Sequence, residues 1–532
     1  MKDKTKLLAL KDRTYLGIEL GSTRIKSVLI NSEFEVLATG SYEWENKLED
    51  GYWTYALDEI WRGLQQSYQS LAEAVQERYG TVLTEVQGIG FSAMMHGYMA
   101  FDQSGELLVP FRTWRNATTS QAAKELSEAF QFNIPERWSI AQLYQAVLDH
   151  EQHLSEIDYF TTLAGYVHWK LTGKKVIGIG DASGMFPIDS LTKNYNKRLI
   201  KKFNTLTDEK NVDLDLNHLL PSVLQAGEMA GKLTEQGARL LDPTGNLKAG
   251  IPLCPPEGDA GTGMVATNSI EVKTGNISVG TSAFAMVILE KELKKVYPEI
   301  DLVTTPNGHP VAMVHANNCS SDINAWIKLF EEYTNLLGIK VEREKIYSIL
   351  FNKALEAGKE MGGLMSYGYL SGENITQVSE GRPLFVRQPE SEFTLANFMS
   401  VHLSSAFAAI RVGMDILHQE GIEIKALVGH GGLFKTPKVG QSILAAAMQA
   451  PVTVMETAGE GGAWGMAILS AFQGDEEEDL NQFLKSKVFS QTKGITIHPT
   501  KAAIESYDIF IKRYLAGINI ERQAIHSLKK EI

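Results

Sequence analysis

Asp259 lies in the run EGDAGTG, a carboxylate among residues too small to keep water, sugar or phosphate out of reach. Placed beside an acceptor hydroxyl, it can act as general base: it takes the proton as that oxygen attacks a phosphoryl group, worth about 10²–10⁴ in rate. The same residue type also caps helices and turns, and that plainer reading stands beside the first. Phosphoryl transfer needs an anion cradle as well, and the chain offers two. YLGIELGSTRIKSVLI from Tyr15 and GNISVGTSAFAMVIL from Gly275 each read as strand, small-residue turn and strand. Gly21, Ser22 and Thr23 in the first turn, and Gly280, Thr281 and Ser282 in the second, let N–H groups and hydroxyls approach a phosphate. The recurrence implies an internal duplication with a nucleoside triphosphate held between the halves.

Glu19 ends the first strand just before its glycine turn, where a carboxylate can hold hydrated Mg²⁺ beside phosphates, and Asp259 is the second candidate for that metal. A strand-end glutamate facing solvent is the alternative. Lys26, on the return strand, is either a phosphate contact or an exposed lysine. Met95, His96, Trp114, Arg115 and Asn116 form a candidate sugar-binding set, since polyols need polar groups at their hydroxyls and apolar surface against their C–H faces. Asp102 and Asp181 either bond hydroxyls or pin loops. Gly431, Gly432 and Leu433, with Lys435 and Gln441, suit the adenine and ribose end of a nucleotide, and Gly462 and Trp464 are expected in its wall. The Asp and Asn of SSDINAWIKLF read as helix caps.

The elements that must carry these residues follow from periodicity. Residues 58–79 form an amphipathic helix stopped by Gly80. VQGIGFSAMMHGYMAFD reads as buried strand, loop and short strand, which puts His96 where a parallel strand ends and ligands collect. Residues 121–173 are mainly helical with a break at Pro135, and GDASGMFPID brings extended structure and turns. Pro252, Pro255 and Pro256 give a rigid approach to a glycine-rich turn at EGDAGTG. One long apolar helix is expected over residues 395–419, then a strand at 425–428 and the loop GHGGLFKTP. Pro437 opens a helix running through residues 441–450, the strand PVTVM follows, and AGEGGAWGMAILSAF is a glycine-rich loop entering a helix.

A chain of 532 residues is too long for one core, and two domains are expected, residues 1–268 and 269–532. Apolar residues make up 44% and charged residues 22%, and there is no uninterrupted apolar run of about 18 residues, so no membrane partner is expected. MKDKTKLLALKDRTY reads as a tail and not a signal peptide, which implies a cytoplasmic protein. Cys254 and Cys319 can build neither a disulfide framework nor a zinc site and are expected as reduced thiols. A net charge of −13 argues against nucleic acid, and the acidic run GDEEEDL reads as a solvated face. G-x-x-x-x-G-K-[S/T], H-E-x-x-H and G-x-S-x-G are all absent.

Taken in order, the first hairpin, M-H-G loop, Trp loop, G-D-A turn, second hairpin and G-G loop resemble the FGGY carbohydrate kinases, from Tyr15 to about Phe472. The resemblance implies an α/β fold of two actin-like, ribonuclease-H-like domains with ATP and sugar meeting in the cleft between them. It matches Asp259 to the catalytic base, Met95 and His96 to the sugar loop, Gly280–Ser282 to the second phosphate turn, and Gly431 and Gly432 to the adenosine loop. SAMMHGYMAFD looks most like the xylulose kinases, while GIELGSTRIK through TWRNATT also looks like a divergent group assigned to L-ribulose phosphorylation. The implied activity is ATP- and Mg²⁺-dependent phosphorylation of a ketopentose. Two departures stand out. Glu19 replaces the family's usual Asp, and Trp114-Arg115-Asn116 replaces W-N-D, with loss of a negative charge beside the sugar. A nucleotide-dependent sugar sensor that has lost turnover, or an actin-like ATPase acting on a protein client, are the alternatives. Oligomeric state stays open, a homodimer among the possibilities.

Overall fold

The computed structural model of the chain describes residues 13–455, 461–477, 479–492 and 494–528. The tail ahead of Arg13, the start of the loop before Gly461, and Glu478 of the acidic run lie outside the described residues.

The chain packs as two units. The first holds Met1–Ile270, Asp301–Val311 and Gly459–Thr492; the second holds Glu271–Ile300, Ala312–Ala458 and Lys493–Ile532. One division falls beside Ile270, close to the expected boundary, and two later segments return to the first unit. The second return has a clear cause. A Cβ on Gly17 would lie 2.0 Å from the Ala463 carbonyl oxygen, so the missing side chain is what lets the helix Gly461–Phe472 lie directly on the first strand.

The first unit is built on β1 (Tyr15–Leu20), β2 (Arg24–Ile30), β3 (Val36–Glu43), β4 (Gly88–Ala93) and β5 (Glu257–Gly258), in the order β5-β4-β1-β2-β3. β1, β2 and β3 form an antiparallel meander, whereas β4 lies parallel to β1 and β5 parallel to β4. Leu16, Ile18 and Leu20 are fully buried on one face of β1, and on the other Gly17 lies against the Ala463 backbone, so this central strand is covered on both sides. The helix α1 (Leu57–Tyr79) buries Ile60, Leu64, Leu71 and Val75 and ends at Gly80 in the left-handed conformation.

The second unit repeats this plan with β6 (Thr274–Val279), β7 (Ala283–Ile288), β8 (Pro310–Ala316), β9 (Ala426–Gly431), β10 (Val452–Met455) and β11 (Gly494–Ile497), in the order β8-β7-β6-β9-β10-β11. Again the first two strands pair antiparallel, and a later strand, β9, lies parallel to the first. Cys254 and Cys319 are buried and free.

Two local expectations are corrected. The apolar stretch over residues 395–419 is two helices, Leu395–Ala406 and Ala408–Gln419, bent by 51°. Tertiary contacts hold the break open: Phe407 is fully buried, and the Ser404 carbonyl accepts the Tyr507 hydroxyl at 2.8 Å. GDASGMFPID has the turns and extended structure expected of it, with a helical turn at Ile179–Ala182 and Ile188–Asp189 paired as strand. EGDAGTG is a helix start rather than a free turn, with the helix running Asp259–Ala266. Among the described residues no single helix is long and apolar enough to cross a membrane. The bent pair has the length and composition, and Ala396–Ala406 is buried within its unit.

Candidate active site

Asp259 is the first residue of α2 (Asp259–Ala266), directly after β5. Its Oδ1 accepts the N–H of Met95 at 3.2 Å and that of Ala260 at 3.0 Å. Gly258 makes the first bond possible: a Cβ there would lie 2.2 Å from Met95 Cγ. The Asp259 side chain is exposed, yet protein crowds round it. That desolvation raises its pKa against the pull of the Met95 and Ala260 N–H groups. An open carboxylate of raised basicity at the C-terminal end of a parallel strand is a serviceable proton acceptor.

Met95 and His96 follow β4, and His96 takes a left-handed φ of 68° ahead of Gly97 at 88°. His96 is buried, and its pKa is lowered to about 3 by burial and by the Arg137 guanidinium. The neutral ring donates from Nδ1 to the Gly184 carbonyl at 3.1 Å and accepts Arg137 Nε–H on Nε2 at 3.3 Å. Both ring nitrogens are thus engaged by protein. Arg137 also pairs with Asp301, which accepts Asn133 as well. The Arg137–Asp301 pair went unnoticed in the sequence, since no motif marks two residues so far apart.

Besides Asp259, three carboxyls among the described residues of this unit have a raised pKa. Glu19, half-buried at the end of β1, has a pKa raised to about 7 by burial and by the charge of Asp259, against the Ala463 N–H and Lys26. A Cβ on Gly462 would lie 2.4 Å from Glu19 Oε1, so Gly462 packs under this carboxyl, and Trp464 Nε1 donates to the Phe34 carbonyl at 3.0 Å. Both residues, expected in a nucleotide wall, lie in the first unit, Gly462 beside β1 and Trp464 against the β2–β3 turn. Asp181 is 1% exposed and raised to about 7 by burial and by Asp259, while its Oδ2 accepts the Thr162 hydroxyl at 2.6 Å. Among the described residues Asp181 Oδ1 has no hydrogen-bond partner. Glu257 was overlooked inside EGDAGTG: it is 1% exposed, raised to about 8 by burial and by Asp181. The signal was a carboxylate in an otherwise apolar, proline-stiffened strand.

The Trp loop is used differently along its length. Trp114 is 39% exposed, whereas Arg115 lies 3.7 Å over the Trp53 ring and bonds Asn46 at 2.9 Å. Asn116 is buried and ties the loop to both the N–H and the carbonyl of Trp53, at 2.8 and 2.9 Å. Asp102 pins its own turn through Ser104 and the Glu106 N–H. In the first hairpin, Gly21 N–H closes the turn on the Arg24 carbonyl at 3.0 Å, with Ser22 half-buried and Thr23 exposed. Lys26 pairs across from Glu19 in the ladder.

In the second unit, Gly280 N–H closes onto the Ser282 carbonyl at 2.9 Å, and Gly280 and Thr281 are exposed. The Gly280 and Thr281 carbonyls receive Ser320 and Cys319 N–H, which leaves the outward face of the turn to the N–H groups and hydroxyls of Thr281 and Ser282. Gly431 has φ 116°, and a Cβ there would lie 2.0 Å from the Val279 carbonyl oxygen, so β9 ends against β6 only as glycine. Gly432 opens a short 3₁₀ turn and Lys435 is exposed just after it. Gln441 is buried with its amide nitrogen on the carbonyls of Val452 and Ile495, at 2.7 and 2.6 Å, where it joins β10 to β11. Asp322 accepts Trp326 Nε1 at 3.2 Å within its helix, and Asn324 accepts the Tyr347 hydroxyl at 2.7 Å; neither side chain caps the helix N-terminus.

Comparison with known proteins fits this geometry. The N-terminal domain model of the FGGY family of carbohydrate kinases matches residues 14–266 and its C-terminal domain model residues 275–474. A xylulose kinase of Haemophilus influenzae is 23% identical over 95% of this chain and 99% of its own length. Among solved structures, a ligand-bound xylulose kinase of Lactobacillus acidophilus superposes with a TM-score of 0.79 at 15% identity, covering 97% of this chain and all of its own. A gluconate kinase of the same organism gives 0.77 at 16% identity, covering 96% and 98%. At such identities the structures speak for the fold alone, and the fold carries more than one substrate. With both domain models matched in order across most of its length, the chain belongs to the FGGY family of carbohydrate kinases.

Proposed function

We propose that this protein transfers the γ-phosphoryl group of ATP to a hydroxyl of a ketopentose of the xylulose or ribulose type, with Asp259 as general base. The observation that carries the reading is the carboxyl of Asp259: open to solvent, raised in basicity, and held by the backbone N–H of Met95. The Asp259 carboxylate takes the hydroxyl proton, the sugar oxygen bonds to the γ-phosphorus, and the bond to the bridging oxygen breaks to release ADP. In this reading Met95 and Trp114 supply apolar surface to the sugar. His96, Arg115 and Asn116 shape its loops through their protein partners. Backbone N–H groups and hydroxyls of Thr281 and Ser282, in the turn that Gly280 opens, receive phosphate, with Gly431, Gly432 and Lys435 towards the nucleoside.

Glu19 and Asp259 are the residues that would hold Mg²⁺. An all-oxygen pair of carboxyls, with Glu19 feeling the charge of Asp259, matches the hard donors this ion prefers. When bound, the ion offsets charge on the phosphates. Ketopentose preference draws on the similarity to the xylulose kinase of Haemophilus influenzae.

A coupled ADP-release assay with D-xylulose, L-xylulose, D-ribulose, L-ribulose, gluconate and glycerol tests the proposal. ADP formation stimulated by a ketopentose is the expected result. Preference for gluconate would move the substrate class, and nucleotide binding without sugar-stimulated ADP release would favour a sensor.

A further inference from the structure

We propose that Glu257 is a positioning residue for Asp259, a clamp that sets the start of the helix bearing the base; this rests on the kinase reading above. Glu257 sits in β5 two residues before Asp259, and its side chain is buried. Its Oε1 accepts the N–H of Gly180 at 3.3 Å and its Oε2 that of Asp181 at 3.0 Å. Both donors open the turn Ile179–Ala182, where backbone N–H groups have no partner within the turn itself. One carboxyl therefore satisfies two buried donors at once.

The surroundings are cut to its shape. A Cβ on Gly178 would lie 2.4 Å from Oε1, and one on Gly180 2.3 Å from Oε2. A Cβ on Gly261, in the first turn of α2, would lie 3.5 Å from Oε2. On the chain itself, Gly178 N–H donates to the Pro256 carbonyl at 2.8 Å. The carboxyl is thus wedged between the segment 178–181 and the turn that begins with Asp259. Gly258, the residue between the two acids, faces Met95, whose N–H fixes the base. Any slip of β5 is transmitted to that bond.

A carboxyl sets two oxygens side by side, and the hydroxyl oxygen of its protonated form still has lone pairs with which to accept an N–H. Glutamine keeps one and turns an NH₂ towards the other N–H, while aspartate is a methylene short. A displacement of about 1 Å at a reacting group costs on the order of 10² in rate.

The test uses the full chain with Glu257→Gln. The expected result is a fall in kcat of about tenfold or more with the KM values for ATP and sugar within about twofold, and faster hydrogen–deuterium exchange in the peptide carrying the Met95 amide. Gly180→Ala, which presses a methyl on Oε2, should give the same signature, so the test survives if the first variant fails to fold. Faster exchange confined to residues 178–182, with kcat and the Met95 peptide unchanged, would overturn the proposal and leave Glu257 a local pin. Absence of sugar-stimulated ADP release in the unaltered protein would instead defeat the kinase reading, and the Met95 exchange would still report on the clamp.

Discussion

The hairpins β1–β2 and β6–β7 share one plan and differ in chemistry. In each, the first strand pairs antiparallel with the second and parallel with a later strand, and a glycine N–H closes the turn. Position by position, however, Glu19 in the first corresponds to Ser278 in the second. Glu19 lies across from Lys26 and beside Ser92; Ser278 lies across from Phe284 and beside His430. The first hairpin therefore brings an acid towards Asp259, whereas the second offers neutral donors. A duplicated frame fixes backbone geometry, and a few side chains at strand ends decide whether it carries carboxylates or receives an anion.

That contrast can be broken at its strongest point by Asp259→Asn. Sugar phosphorylation should fall by about 10²–10⁴ in kcat, while nucleotide affinity measured by calorimetry stays within about twofold. Near-normal turnover would remove the base from the first unit.

The second unit is tested by its glycines. Gly431→Ala meets a backbone oxygen at 2.0 Å in a left-handed conformation, so urea unfolding should register a loss of about 3 kcal/mol. Asp181→Asn addresses the first unit's carboxyls. The wild-type pKa is raised in the folded state to about 7, so ionising Asp181 costs stability progressively as pH rises from the ordinary aspartate range through 7. The Asn variant lacks this loss. It should be the more stable protein at pH 8 by about 1–3 kcal/mol, with the gap narrowing as pH falls towards 4 in thermal unfolding.

The smallest effect is expected at Gly280→Ala. Among the described residues its Cβ would have only the Ser282 carbonyl near it, at 3.8 Å, so the melting temperature should hardly move. A methyl on the open face of the turn should nonetheless raise the KM for ATP by about three- to tenfold, because backbone N–H groups are kept from phosphate. An unchanged KM would indicate that this hairpin takes no part in nucleotide binding.

Much of the frame was legible because its signals are local. Alternating apolar residues around small turns specify both hairpins, and Gly80 ends α1 where helical spacing ends. Asp259 and Met95 were legible as residue types, though the hydrogen bond between them spans 164 residues and leaves no trace in the local pattern. The break at Phe407 was hidden because helical periodicity continues through it, and only burial of its ring and the Tyr507 hydroxyl separate the two helices. Asn116 and Gln441 looked like ligand contacts by type, and the tertiary structure shows that backbone groups engage their amides.

The sequence alone determined the repeated strand–turn–strand units, their order, and a carboxylate among small residues, since these follow from neighbours a few positions apart. Tertiary structure alone decided that Glu257 grips the backbone of Gly180 and Asp181, that His96 spends both ring nitrogens on protein, and that the segment after Gly461 returns to β1. Those outcomes depend on which distant atoms arrive within about 3 Å of one another, and no periodicity along a chain encodes that distance.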